Sequence, residues 1–370
     1  MSSRFSRPRL ISCVAAWVIA AAAIAGPAQA APTTPPACGD VVTSDVRLTS
    51  DLVCPDTGLV VGAAGIMIDL NGHSIEGPCC FSPETFTTVG IDDGGGYDRV
   101  RIVDGTISRF GTGIRFEDAH RGTIRHVTAT VNGQGILLVG SDRNTIWRSE
   151  VTNSGFSIRV GDGIRLESGS DRNRLIRNLV DGNEEWGVRV VRSDGNLVAR
   201  NRLNANGAGG SEIFAAEGSV FARNSGGNRF VGLDLDQSAD SWIVGNQFPT
   251  DGFNLNGSES THVFRNVAGG FSASGPGLEV IANVAEFTPF ADTGILIGAG
   301  SEGALVERNV SNGHLEDGIG VLSPGVVIAH NTANDNLDLG IEAVPGVIDG
   351  GGNRASGNGN PLQCVNVVCG

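Results

Sequence analysis

Residues 162–167 read Asp-Gly-Ile-Arg-Leu-Glu, so Arg165 and Glu167 alternate with Ile164 and Leu166, and an acid precedes them. In an extended strand this alternation turns the apolar pair to one side and the charged pair to the other. The same outward pair recurs along the chain as Arg115/Glu117, as Arg189, as Asp234/Asp236 and as Asn254/Asn256. A guanidinium matches a carboxylate bidentately, and a nearby carboxylate can take up a proton. Such a set suits uronate chemistry, in which a cation neutralises the substrate carboxylate and a base removes the C5 proton. Elimination and C5 epimerisation share that first half. Arg165 and Arg189 are the candidate clamps. Asp162, Glu167, Asp234 and Asp236 are the candidate bases, or calcium ligands in a lyase-style variant. Arg115, Trp186, Asn254 and Asn256 are candidate substrate contacts. Hydrolysis would need two carboxylates flanking a glycosidic bond, for which Asp234/Asp236 is the place to look. The competing reading is an ordinary solvated strand face of an acidic protein.

These residues are positioned by a repeat. Asn178, Asn201, Asn224, Asn246, Asn266, Asn283, Asn309 and Asn331 follow one another at steps of 23, 23, 22, 20, 17, 26 and 22. A Gly-aliphatic marker recurs in phase, among others in TGIRFE (112–117), DGIRLE (162–167), WGVRVV (186–191), DGIGVL (317–322) and LGIEAV (339–344). A period in the low twenties, short alternating aliphatic runs and Gly/Asn/Asp/Ser between them predict an all-β parallel solenoid. About a dozen coils of roughly 22–24 residues are expected, at about 4.8 Å per coil. Asparagine suits the turns because it tolerates the left-handed backbone and its amide can bond from coil to coil. The Asn column is therefore read as structural.

Other features bound the setting. Arg4, Arg7 and Arg9, the apolar run 10–26 and AQA at 28–30 form a secretory signal-peptide pattern over 1–30. No later run is apolar for long enough to span a membrane. Every one of the 26 Lys+Arg residues is arginine, and the net charge is −14, which argues against nucleic acid as a partner. The stretch 99–229 is locally basic, with 19 Arg against 14 acids. A second cationic column, His126, Arg148, Arg177, Arg200, Arg223, Arg265, Arg308 and His330, precedes the asparagines. It reads as solvated turn positions paired with nearby carboxylates, with weak distributed attraction to a polyanion as its other use. Cys38, Cys54, Cys79, Cys80, Cys364 and Cys369 sit near the two ends. Cys38–Cys54 and Cys364–Cys369 are the natural pairs, while Cys79 and Cys80 bridge each other or re-sort the N-terminal pairing. Segments 31–64 and 345–370 are expected to cap a solenoid body at 65–344, because exposed strand edges need covering.

The segment CGDVV…LTSDLVCP…GIMIDLNGHSIEG, the GI/RN coils and the Asn/Gly-rich C-terminus resemble secreted right-handed parallel β-helix proteins of the pectate-lyase-like superfold, in particular its NosD-like and carbohydrate-binding branch. The resemblance implies a right-handed single-stranded parallel β-helix, and it transfers no catalytic residue. The polygalacturonase, pectate-lyase and mannuronan-epimerase motifs are missing from the sequence. The expectation is an exported protein that binds an anionic, uronate-containing polysaccharide and processes it by elimination or epimerisation. It requires no cofactor, and calcium is the ion a lyase-style variant would take. The alternative is a non-catalytic spacer or adhesive surface protein.

Overall fold

Alternating aliphatic residues bury one face of each short strand, and the repeat returns that face to the same place in every coil. The computed structural model describes residues 35–78, 85–155, 161–228, 230–289 and 291–370, all within one compact unit, Pro35–Gly370. The signal-peptide pattern and Cys79 and Cys80 lie outside the described residues. The unit winds through about 14 turns of parallel strands, and Thr85–Thr87 is the one helical turn among the described residues. No helix there is long and apolar enough to cross a membrane.

One coil shows the plan. Ile164–Glu167 lies in sheet A, Arg174–Ile176 in sheet B and Leu179–Asp181 in sheet C. Each pairs in parallel with the next coil, Ile164 with Val188, Leu175 with Val198 and Val180 with Leu203. The inward residues stack into columns. In sheet B the column runs Ile124, Ile146, Leu175, Val198, Phe221, Ile243, Val263, Val280, Val306 and Ile328, each fully buried. This is the parallel solenoid the repeat predicts, and the right-handed β-helix the resemblance implies. The expected dozen coils become about 14 because Val41–Val42 already pairs with Leu59–Val61, and Cys364–Val365 with Ile341–Ala343. Both natural disulfides, Cys38–Cys54 and Cys364–Cys369, are formed.

The Asn column stands at the corner between sheets B and C. From Asn178 through Asn331 each side-chain amide donates to the carbonyl oxygen of the next rung at 2.9–3.2 Å, and Asn353 adds a further rung. A second ladder, Asn183–Asn206–Asn228, ends on Asp251. The left-handed residue, however, is the one before each rung. Arg177, Arg200, Arg223, Gly245, Arg265, Ala282, Arg308 and His330 have φ of +52° to +66°, whereas the rungs themselves do not. The asparagine must aim its amide into the corner to bond its neighbours, so the residue before it makes the turn and points outward.

The 20- and 17-residue steps have a structural meaning. In those two coils the chain runs from sheet C into sheet A without a loop, as the long strands Gln247–Asn256 and Val267–Ala273. The next coil restores a loop, described at 286–289 and 291–294, which lengthens its step to 26. Phe221, Phe248, Phe253 and Phe271 fill the interior here, with ring centroids 5.5–6.0 Å apart.

Candidate functional site

The outward positions of sheet A form one continuous column. It runs Asp92, Arg115, Leu137, Arg165, Arg189, Glu212, Asp234, Asn254, Ser272, Leu296, Gly320 and Glu342, each beside the next on adjacent coils. Arg165, Arg189, Asp234 and Asn254 thus share a face, as the alternation predicts. Glu212, absent from the sequence reading, stands between Arg189 and Asp234 and bonds Arg189.

The arginines of this face are engaged. Arg115 is held bidentately by Asp92 at 2.8 and 2.9 Å. Arg165 bonds Glu167 at 2.7 Å and Asp162 at 3.3 Å. Asp162 is buried and accepts the Trp186 amide at 3.2 Å. Burial pushes its carboxyl up from the ordinary carboxylate value, opposed by that amide and by Arg189 and Arg165. The Trp186 ring lies over Gly209, where a Cβ would stand 2.4 Å from it. Burial also raises the Asp234 carboxyl, with the charges of Glu212 and Asp236 adding to it. Asp236 and Asn256 continue outward on the neighbouring column. Among the described residues, no three His, Cys, Asp or Glu side chains are gathered to hold a metal.

Two cavities on this face lie further along the helix. Where the sheet C to sheet A loop is missing, the two short coils leave a trough of about 620 Å³. Asn254, Ser272 and Leu296 form its floor, Phe230 one rim, and the restored loop with Thr288 and Asp292 the other. His314 supports that loop. It is fully buried, its Nε2 lies 3.3 Å from the Ala285 carbonyl oxygen, and burial lowers its pKa. A second cavity of about 310 Å³ shares Thr293, Leu296 and Glu316 with the first and reaches Asp317 and Glu342. Of the sequence candidates, Asn254 alone lines the trough.

Asp317 and Asp162 occupy the same place in the DGI marker, and each accepts an amide from the next coil, Leu339 at 3.0 Å in the case of Asp317. Their neighbours differ. Arg189 stands one coil beyond Arg165 above Asp162, whereas Glu342 holds the corresponding position above Asp317. Asp317 is therefore hydrogen-bonded to a second carboxyl. Burial, the bond to Glu342 and the charges of Glu342 and Asp338 push it up to about 6, against the Leu339 amide. Below about pH 6 this is a carboxyl pair able to share one proton. The periodicity held the signal, since the short 20- and 17-residue steps mark the trough and the DGI marker recurs at 317.

Residues 87–248 match the family model described as a right handed beta helix region, in agreement with the architecture expected from the sequence. No curated protein matches the chain. Among solved structures, the Streptococcus pneumoniae surface protein and adhesin PfbA is 10% identical, with TM-score 0.47 over 89% of this chain and 91% of that one. DFA-IIIase from Arthrobacter chlorophenolicus A6 in complex with GF2 is 11% identical, with TM-score 0.48 over 87% and 86%. The Dettilon tailspike protein is 17% identical, with TM-score 0.37 over 88% and 60%.

Proposed function

We propose that this protein binds an extracellular polysaccharide along the outer face of sheet A, with the chain seated in the trough and the Asp317–Glu342 pair delivering a proton to it. One observation carries the reading: an open trough, made by two shortened coils, runs directly into a carboxyl pair poised to share a proton. A sugar ring presents an apolar C–H face and a rim of hydroxyls. Leu296 and Phe230 offer the apolar contact, and Asn254, Ser272 and Thr288 offer hydrogen bonds. In glycoside chemistry one carboxyl stays protonated to protonate the leaving oxygen while another works as a base. Asp317 fits the first role, and Glu316, which lines both cavities, fits the second. The disulfides fit an oxidising compartment.

Gly252 gives a direct test. It lines the trough, and a Cβ there would meet nothing closer than 3.9 Å. Gly252→Leu should fill the trough, weaken retention on the cognate polysaccharide at least about tenfold, and leave the melting temperature within a few degrees. Retention equal to the parent protein would remove the trough from the binding site. Gly270→Ala is not equivalent, because its Cβ would lie 2.7 Å from the Ala291 methyl.

Elimination or C5 epimerisation at Arg165 and Arg189 is the second reading. It is favoured by the buried Asp162 carboxyl beside the Arg165 guanidinium. Ultraviolet absorbance of a new C4=C5 double bond on uronate polymers, with calcium and with a chelator, tests elimination. A rise abolished by Arg165→Ala would place the chemistry there, and no rise on any uronate polymer would leave epimerisation for NMR to decide.

A further inference from the structure

Sheet B carries a groove of about 540 Å³ on a different face from the trough. Arg174, Arg177, Arg200 and Arg223 line it, and no carboxylate does. Arg177, Arg200 and Arg223 stand at the same corner on three successive coils, about 4.8 Å apart by strand spacing. Arg148 begins the row one coil earlier, its guanidinium 4.4 Å from the centre of the Trp147 ring. The sequence reading pairs this column with nearby carboxylates, and the structure does so only at its ends, where Arg308 and His330 meet Glu307 and His126 meets Asp104. Among the described residues, Arg177, Arg200 and Arg223 make no ion pair and no side-chain hydrogen bond, and all three are exposed.

The column itself shows what these residues add. The corner requires a left-handed backbone, which glycine adopts freely and a side chain with a Cβ does not. Gly245 and Ala282 fill the same corner in other coils. The arginines thus satisfy no structural need that glycine would not, and what they add is charge. That charge is set out against the net −14 of the whole chain.

We propose that this groove is a binding site for an anionic polysaccharide bearing one negative charge per sugar residue, separate from the sheet A trough. The outward floor, Ala199 and Ala222 flanked by Ile176 and Val244, is narrow and apolar. It accepts the C–H face of a pyranose ring. The row of guanidiniums then meets one carboxylate or sulfate per coil, because the coil spacing is close to the rise of one sugar in an extended chain. Arginine forks match either group bidentately. A DNA duplex is wider than this floor and would engage the row on one side only.

The test is affinity electrophoresis of the full protein in gels containing polygalacturonate, at low and at physiological salt. Arg177→Gly, Arg200→Gly and Arg223→Gly are combined in one variant, and Gly245 shows that the corner accepts the change. The parent protein should be retarded, less so as salt rises, and the triple variant should lose at least about tenfold in affinity. Arg308→Gly, whose arginine is already paired, should bind like the parent. Gly252→Leu, which fills the trough, should be retarded like the parent, so a failure of the trough reading does not mimic a failure of this one. Equal retention of the triple variant and the parent would overturn the proposal. So would tighter binding of duplex DNA or phosphatidylserine vesicles than of polygalacturonate at the same salt.

Discussion

Asn224→Ala should destabilise the protein by about 3–5 kcal/mol, and Asn246→Ala, which removes the same four side-chain bonds, should cost as much. The Asn224 carbonyl oxygen accepts from both the backbone and side-chain amides of Asn201, at 2.9 and 3.1 Å. Its own side-chain amide donates to Asn246 at 3.2 Å and to the Val198 carbonyl oxygen at 2.8 Å. Alanine removes all four bonds, and each polar group left without a partner in a site closed to water costs about 1–3 kcal/mol. The rung is fully buried, so solvent does not restore them without the coils parting. Because coils contact only their neighbours, hydrogen exchange should quicken at residues 196–246 and hold its parent rates beyond residue 300. Asn334 supplies the comparison. It sits in an exposed ladder, accepting from Ser356 and donating its backbone amide to Asn312, and its alanine variant should lose less than about 1 kcal/mol. Equal losses at the two positions would mean that burial of the rung is not what gives the ladder its strength.

The ladder was legible in the sequence because a solenoid writes its geometry as a period. The rungs, the inward aliphatic columns and the outward face of sheet A all follow from counting. What failed to show were the places where the period breaks. The strand carrying Glu212 reads GGSEIF, with Ser211 buried where other coils carry an aliphatic residue. It therefore lacks the Gly-aliphatic marker, and Glu212 dropped out of the column it completes. The trough was visible as two short steps, yet a step length does not say which loop has been lost. The lone arginines of sheet B were hidden for another reason. An ion pair between coils depends on residues some 22 positions away whose side chains must also reach, so composition alone gives pairing and solvation the same appearance.

Asp317→Asn carries the largest expected effect on function, and its pH dependence separates chemistry from folding. The Asp317 carboxyl stands at about 6 in the folded protein, against about 3.9 for an unfolded aspartate. Its folded pKa is raised, so the native state holds the proton more tightly than the unfolded chain does. Below about pH 4 both states are protonated and no penalty arises. As pH rises from there through about 6, the native state loses stability, and above that the penalty is complete. Discounted for its opening onto the cavity, it amounts to about 1–2 kcal/mol. Asp317→Asn keeps an acceptor for the Leu339 amide and gains a donor toward Glu342, so the variant should match the parent at pH 4 and exceed it in stability at pH 8. Asp93, also at about 6 through burial, loses stability in the same window, so Asp93→Asn must be measured beside it. Turnover should behave in the opposite sense. With the proton donor removed it should fall about 10²–10⁴-fold on the cognate polysaccharide, and the parent's activity should decline above pH 6. Glu342→Arg sharpens the test by placing an arginine where Arg189 stands above Asp162, lowering the Asp317 pKa and carrying the decline to lower pH. A variant stabilised at pH 8 with turnover intact would leave the pair a structural strain and place the chemistry elsewhere on the face.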